Sequence, residues 1–265
     1  MSVYKNDNPA FLNQALNSIY IDQTVKPDEI VIVIDGPVSD ELRKIINDLK
    51  KQTNIVKIVD LITNRGLGEA LRIGSTHCSG DYIVRMDSDD LSHPNRFEKQ
   101  FSYINNHPEL DVLGCNILEF SQSTDEKMRR RACPEYHKDI VKMSKKRSPM
   151  NHITACIKRD SLFSSGGYKQ MLFAEDYYLW VRMINHSCHF YNIQEDLVYV
   201  RVGNGMTARR SNLTLLRSLR SIYKYLLDNK NINILEYSLN IVKAELFIRS
   251  PIQAKNFAYK FLLRK

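Results

Sequence analysis

The sequence predicts an α/β fold, in which a mostly parallel sheet carries helices on its faces and a helical segment follows at the C-terminus. Three observations lead there. Glu29-Ile30-Val31-Ile32-Val33-Ile34-Asp35-Gly36 is a β-branched apolar run closed by turn residues, as in a strand buried on both faces. Strand-like and helix-like runs then alternate over residues 29–86, the pattern of parallel βαβ units. Beyond residue 206, Leu213, Leu216, Leu219, Ile222, Tyr223, Leu226 and Leu227 recur at helical spacing, with Arg217, Arg220 and Lys224 interleaved.

Taken in order, the strand at 29–36 brings Asp35 to its carboxyl edge. A helix is expected over 39–51, a strand over 55–61, a loop at Thr63-Asn64-Arg65-Gly66 and a helix over 67–77. The next strand, 81–86, ends in Asp87-Ser88-Asp89-Asp90 and leads to a helix starting near His93-Pro94. In open sheets of this kind ligands bind beyond the carboxyl ends of the strands, which would gather Asp35, Arg65 and the 87–90 run. A further strand is expected over 111–120. Residues 121–148, which include Arg129-Arg130-Arg131, are polar and basic and read as loop-rich. A strand at 152–157, a short helix and the turn Ser165-Gly166-Gly167-Tyr168 precede a helix opened by Ala174-Glu175-Asp176. That acidic pair sits where the helix dipole favours negative charge, so simple capping accounts for it as readily as catalysis.

At 265 residues, 43% hydrophobic and 26% charged, the chain has the composition of one large core or a domain with an appendage. No apolar run reaches the roughly 18 residues of a membrane-spanning helix, and the N-terminus lacks the regions of a signal peptide, so a cytoplasmic location is expected. The five cysteines are scattered and lack CxxC spacing, which suggests small core residues and argues against a disulfide framework or a zinc site. The net charge of +8 is unevenly distributed. Residues 206–265 hold twelve Lys or Arg against three acids, net +9, leaving −1 on residues 1–205. Such a tail suits an anionic membrane surface, nucleic acid or a phosphate-bearing acceptor.

Three carboxylates within four positions repel one another unless a cation lies among them. Hard divalent ions favour carboxylate oxygens, and where one or two are supplied, water and substrate phosphates complete the coordination. The same four residues would also serve as a solvated turn ending a strand and capping a helix.

An ordered set of segments resembles the inverting family-2 glycosyltransferases of GT-A fold: Ser2-Val3-Tyr4-Lys5-Asn6, Ile32-Val33-Ile34-Asp35-Gly36, Asn64-Arg65-Gly66-Leu67, Gly80-Asp81-Tyr82, the DxD element Asp87-Ser88-Asp89, Gly166-Gly167-Tyr168 and Glu175-Asp176-Tyr177. The likeness covers residues 1–205 and is strongest to bacterial enzymes building O-antigen or exopolysaccharide repeat units, in which segments like Tyr199-Val200-Arg201-Val202-Gly203 and Met206-Thr207-Ala208-Arg209-Arg210 follow the last strand. It implies a GT-A, Rossmann-like, mostly parallel mixed sheet flanked by helices, with residues 206–265 as a basic helical C-terminal segment. It also implies that Tyr4 lies against the base of a nucleotide sugar, Asp35 accepts a hydrogen bond from that base, and Arg65 approaches the nucleotide, with Ser88 in the same subsite. Asp87 would contact ribose or the metal's water shell, Asp89 would ligate Mn²⁺ or Mg²⁺ bridging the diphosphate, and Asp176 would be the general base. Gly167, Tyr168 and Glu175 would line the acceptor site. Individually, Tyr4 reads equally as core, Asp35 as a turn former and Arg65 as a solvated loop cation.

The implied reaction uses those residue types. Displacing a nucleoside diphosphate builds negative charge on the leaving phosphate, which a divalent cation offsets, while one carboxylate deprotonates the attacking hydroxyl. A single displacement gives a β-linked product from an α-linked donor. The implied donor is a UDP-sugar, UDP-galactose or UDP-glucose, and the acceptor a lipid-diphosphate-linked saccharide, weakly favouring a β1,3 linkage. The QxxRW signature of processive synthases is absent, so one sugar per encounter is expected. The family normally opens with a longer strand than Val3 and its two predecessors supply. Placed centrally, between 30–34 and 82–86, so short a strand leaves both neighbours' backbone groups unpaired, suggesting a native start about five residues upstream of Met1. Two other readings remain. A sugar-nucleotide pyrophosphorylase would need a Gly-rich, basic N-terminal loop, and residues 2–9 contain no glycine. A non-catalytic basic protein bound to membrane or nucleic acid leaves the acidic clusters unexplained, and no nucleic-acid motif is evident. The C-terminal segment is expected to rest peripherally on the inner face of the cytoplasmic membrane, chiefly through Phe257, Phe261 and Leu262 among Lys255, Lys260, Arg264 and Lys265; for its first helix the stronger reading is that the apolar stripe packs on the catalytic domain and leaves the basic residues solvated.

Overall fold

The computed structural model describes residues 1–121, 124, 128–203 and 213–251. Its first layer is a parallel sheet of β1 (Ser2–Val3), β2 (Ile30–Asp35) and β3 (Val56–Leu61), in the order β1-β2-β3. All six residues of β2 are buried, which is why its sequence runs apolar without alternation. The intervening helix α2 (Asp40–Gln52) begins where Ser39 Oγ accepts from Leu42 N, carries Asp40 and Glu41 in its first turn and Lys50 and Lys51 in its last, and buries Leu42, Ile46 and Leu49. Helix α1 (Pro9–Ile19) starts at Asn8, whose Oδ1 accepts from Ala10 N and Phe11 N, with proline at its first position. Helix α3 (Leu67–Thr76) packs on β2.

A second, six-stranded sheet follows the order β4-β8-β6-β9-β5, with β7 added to β6. Its strands are β4 (Tyr82–Val84), β5 (Leu91–Ser92), β6 (Val112–Phe120), β7 (Arg129–Arg131), β8 (Cys156–Lys158) and β9 (Phe190–Arg201). The long β6–β9 pair is parallel and its other pairings are antiparallel. Helix α4 (Arg96–Asn106) covers it, and Arg96, fully buried, donates to the carbonyls of Arg85 and Ile153. Apolar packing joins the two sheets into one core running from Val3, Ile32 and Ile34 to Leu113, Cys115 and Val198.

Three local expectations change. The first strand was expected between two neighbours, yet among the described residues β1 pairs only with β2 (Ser2 with Val33, Val3 with Ile34), while β4 pairs with β8. Met1 extends that pairing, its amino group donating to Val31 O at 2.9 Å and its carbonyl accepting from Val33 N. Residues 152–157 do not form one strand. A 3-10 turn at His152–Thr154 comes first, because Thr154 Oγ1 and the Thr154 and Ala155 amides bond back to the carbonyls of Asn151 and His152. The loop-rich stretch contains α5 (His137–Ser144), whose Ile140 and Ser144 are buried.

After α6 (Arg159–Ser164) comes α7 (Glu175–Asn185), and against it lies the C-terminal pair α8 (Leu213–Asp228) and α9 (Ile234–Arg249). Tyr177 and Val181 of α7 join Leu216, Ile222, Tyr223 and Leu226 of α8 and Ala244 and Ile248 of α9 in one cluster. The end of α5 is bonded to each of these helices: Tyr177 Oη donates to Ser144 O (2.6 Å), Tyr223 Oη to Lys146 O (2.9 Å) and Asn240 Nδ2 to Lys145 O (2.8 Å). The apolar stripe of α8 thus packs on the protein and its Arg217, Arg220 and Lys224 are exposed. Residues 257–265 and 206–210 lie outside the described residues. No described helix is long and apolar enough to cross a membrane.

Candidate active site

At the carboxyl end of β2, Asp35 is buried and its carboxylate accepts from the backbone N–H of Arg65 (2.7 Å) and Gly66 (2.9 Å), while Asn64 Nδ2 donates to its carbonyl (3.1 Å). The next residue, Gly36, has φ +83° and an added Cβ would stand 2.5 Å from Asn64 N, so only glycine allows the loop so close. Asp35 therefore shapes the 64–66 loop, and the Arg65 guanidinium projects from it, half-exposed and 3.9 Å from Glu69.

Beyond β4 the chain alternates: Asp87 and Asp89 are half-buried on the open side, while Ser88 and Asp90 turn inward. The inward pair is anchored. Ser88 Oγ donates to Asp7 Oδ2 at 2.8 Å, and Asp90 Oδ1 accepts from Arg201 N at 2.7 Å. Arg201 also donates to Asp89 O and to Gln14, and stacks on Phe11 and Phe120. Tyr4, half-buried, directs its backbone N–H at Asp7 Oδ2 (3.1 Å). Burial pushes the Asp7 carboxyl up to about 6, the charges of Asp89 and Asp87 adding to it against the bonds from Ser88 and Tyr4. Burial, then Asp87 and Asp89, raise Asp90 well above the ordinary carboxylate range.

Burial is the first cause of both shifts and the neighbouring carboxylate charges add to it; a divalent cation would relieve that added repulsion, and the outward carboxylates suit one. Among the described residues no three His, Cys, Asp or Glu form a metal-holding group by themselves. One or two outward carboxylates, Asp89 with Asp87, match a Mg²⁺ or Mn²⁺ whose remaining ligands are water and diphosphate oxygens.

The acceptor-side candidates come from α7 and the turn before it. Glu175 and Asp176 open α7 behind Ala174, a non-glycine residue at φ 61°, ψ 29°, the kind of strained backbone that persists where surrounding structure enforces it. Asp176 Oδ2 accepts from Ser148 Oγ at 3.2 Å. Burial, and then the charge of Asp176, push the Glu175 carboxyl up to about 7. Gly167, at φ 62°, offers its carbonyl to Arg182 Nη2 (2.6 Å). Tyr168 is buried, its hydroxyl 2.9 Å from His152 Nε2, and burial together with Arg85 keeps His152 neutral by lowering its pKa well below 6.5. Tyr168 is therefore packed inside the protein behind the turn that carries it.

The two halves meet. A Cβ at Gly68, in the first turn of α3, would lie 3.4 Å from Glu175 Cβ and closer still to the carbonyls of Lys169 and Met171. Arg85 lies buried between them: Nη2 reaches Asp87 Oδ1 at 2.5 Å, Nε and Nη1 have no hydrogen-bond partner among the described residues, and the charges of Asp87 and Glu175 both act on it. Asp7, Arg85, His152 and Arg201 thus join the constellation without having been singled out by motif. Arg201 was discoverable within the segment 199–203, whereas Asp7 depends on Ser88, 81 positions away.

Residues 1–170 match the family model described as glycosyl transferase family 2. The chain belongs to that family. It is 33% identical over 267 residues to the UDP-Gal:alpha-D-GlcNAc-diphosphoundecaprenol beta-1,3-galactosyltransferase of Escherichia coli, covering 100% of this chain and 95% of that protein. It is also 33% identical over 260 residues to the amylovoran biosynthesis glycosyltransferase AmsE of Erwinia amylovora, covering 98% and 96%. Among solved structures, S. aureus TarS 1-349 in complex with UDP-GlcNAc superposes with a TM-score of 0.70 at 18% identity over 99% of this chain and 76% of that one. The match spans 45% of the longer TarS chain. That likeness concerns the fold: the glycosyltransferase has the GT-A architecture, with α8 and α9 as its C-terminal helical segment.

Proposed function

We propose that this glycosyltransferase moves one hexose from a UDP-sugar to a lipid-diphosphate-linked saccharide in the assembly of a bacterial surface polysaccharide, with inversion to a β-linkage. The observation that carries the reading is the meeting of two acidic groups at Gly68 and Arg85, Asp87 and Asp89 on one side and Glu175 and Asp176 on the other. Asp87 and Asp89 would hold Mn²⁺ or Mg²⁺, which when bound offsets charge on the departing diphosphate. Tyr4 and the 64–66 loop, shaped by Asp35, would receive the nucleoside, with Arg65 reaching its phosphates and Ser88 fixing the floor through Asp7. Glu175, protonated up to about 7, leaves no second charge to compete when Asp176 takes the acceptor's proton. Gly167 would line the acceptor side, with the buried Tyr168 packed behind it.

UDP-galactose is favoured as donor, UDP-glucose next, and a β1,3 linkage to a lipid-linked sugar, by the name of the E. coli relative. AmsE supports a role in exopolysaccharide synthesis. The lipid of such an acceptor lies in the membrane, so the enzyme works peripherally at its cytoplasmic face. The test is a panel of nucleotide sugars with Mn²⁺ or Mg²⁺, reading UDP or GDP release in the presence of a synthetic lipid-diphosphate acceptor. Asp176→Asn is expected to lower turnover by about a hundredfold or more with donor affinity nearly intact, and Asp89→Ala to lose metal-dependent UDP binding. Near-normal turnover of Asp176→Asn with saturating acceptor would remove it as the base.

A further inference from the structure

Helix α9 is apolar on two opposite sides. One side, with Asn240, Ala244 and Ile248, packs against the rest of the protein. On the other, Leu235 (65% exposed), Leu239 (48%), Val242 (53%) and Leu246 (68%) face outward. At about 100° per residue these four fall within an arc of about 60°, directly opposite the packed side. Scattered exposed leucines are ordinary, but a stripe four long on one helix is a surface with a purpose.

The charges beside the stripe indicate what covers it. Lys243 and Arg249 border it, and neither forms an ion pair among the described residues. The two acids of α9 are already engaged: Glu236 closes the capping box with Asn233, and Glu245 pairs with Arg220 of α8. A hydrogen bond from a backbone N–H does not cancel a carboxylate, so beside the stripe two cations without an ion pair, Lys243 and Arg249, stand against one such acid, Glu236, a basic excess within a segment of net +9. A second copy of the chain fits this badly, because an isologous contact brings the same basic residues together. Four partly exposed aliphatic side chains also offer only a few hundred Å², below the roughly 800 Å² per partner of a standard interface. An anionic lipid surface matches both properties: hydrocarbon for the leucines, phosphates for the lysine and arginine.

We propose that the outward face of α9, Leu235, Leu239, Val242 and Leu246 bordered by Lys243 and Arg249, lies in the headgroup region of an anionic membrane. The helix is about 24 Å long and would lie in the plane of the surface. This deepens the acceptor reading above. Because Asn240 ties α9 to the end of α5, as Tyr177 ties α7, membrane contact would hold Glu175 and Asp176 at a set height over the bilayer that carries the acceptor.

The test is co-sedimentation of the full chain with vesicles of phosphatidylcholine, with and without phosphatidylglycerol. Wild type should bind only the anionic vesicles and release with salt. Leu239→Glu with Val242→Glu should bind about tenfold or more weakly at an unchanged melting temperature, as should Lys243→Gln with Arg249→Gln at low salt, whereas Ile62→Glu, at a fully exposed position elsewhere, should bind as wild type. The proposal is overturned if wild type ignores phosphatidylglycerol or the leucine–valine variant binds normally. It is equally overturned if only deletion of residues 252–265 abolishes binding, or if sedimentation velocity shows that the stripe joins two copies instead. No sugar enters the assay, so failure of the transfer reaction would leave this result standing, and the reverse.

Discussion

Glu175 makes the residue-scale consequences measurable. In the folded protein its carboxyl is pushed up to about 7, whereas its ordinary value is 4.5. Between those values the folded state binds more protons than the unfolded, so this contribution to stability is complete below about pH 4.5 and is lost as pH rises through 7. Glu175→Gln removes the titration, and its melting temperature is expected to fall less steeply than wild type's from pH 4.5 to 7 in the absence of ligand. Parallel curves for the two proteins would mean that Glu175 holds no extra proton. At this scale the sequence was legible where chemistry is local. The open-side positions of Asp87 and Asp89 follow from alternation after a strand, and Asp176 from the first turn of a helix. Asp7 was not legible, because its environment is made by Ser88 and two further carboxylates from another layer.

Elements were readable in proportion to how much of their stability is local. β2 and α2 carry their own signals, an unbroken apolar run and a capped, charge-ordered amphipathic helix. The turn at His152–Thr154 had strand-like composition, and side-chain bonds from Thr154 overrode it. α5 has no capping side chain and only two buried residues, so nothing in the polar stretch around it announced a helix. For α8 the periodicity was plain, and its stripe packs on α7 of the catalytic domain and on α9. Leu226, 2% exposed at that contact, is expected to cost about 2–4 kcal/mol as alanine, seen as a lower urea midpoint. A cost under about 1 kcal/mol would mean that α8 is only loosely held.

For the whole molecule, the sequence pattern supplied the α/β class and the alternation of strands and helices, and it could not supply where one sheet ends and the next begins. Ladder hydrogen bonds stop between β1 and β4, and among the described residues the two sheets share a core without sharing a backbone ladder. The candidate site straddles that boundary: Asp35 and Arg65 end the first sheet, while Asp87 and Asp89 follow the first strand of the second.

A boundary held by side-chain packing shears more easily than one held by backbone bonds, and a molecule gripping both sides of it acts as a clasp. Without ligand, the amides of β2 and β3 are expected to exchange with solvent deuterium at a rate set by their own sheet, distinct from those of β6 and β9. With Mn²⁺ and UDP bound across the gap, opening of one sheet alone would require release of the ligand, so both sets should slow together toward one shared rate. Slowing confined to the loops that touch the nucleotide, with the strands unchanged, would show that the two sheets already open as a single unit. If both sets do slow together, the donor is substrate and mechanical fastener at once, and the enzyme is most rigid at the moment it is loaded to react.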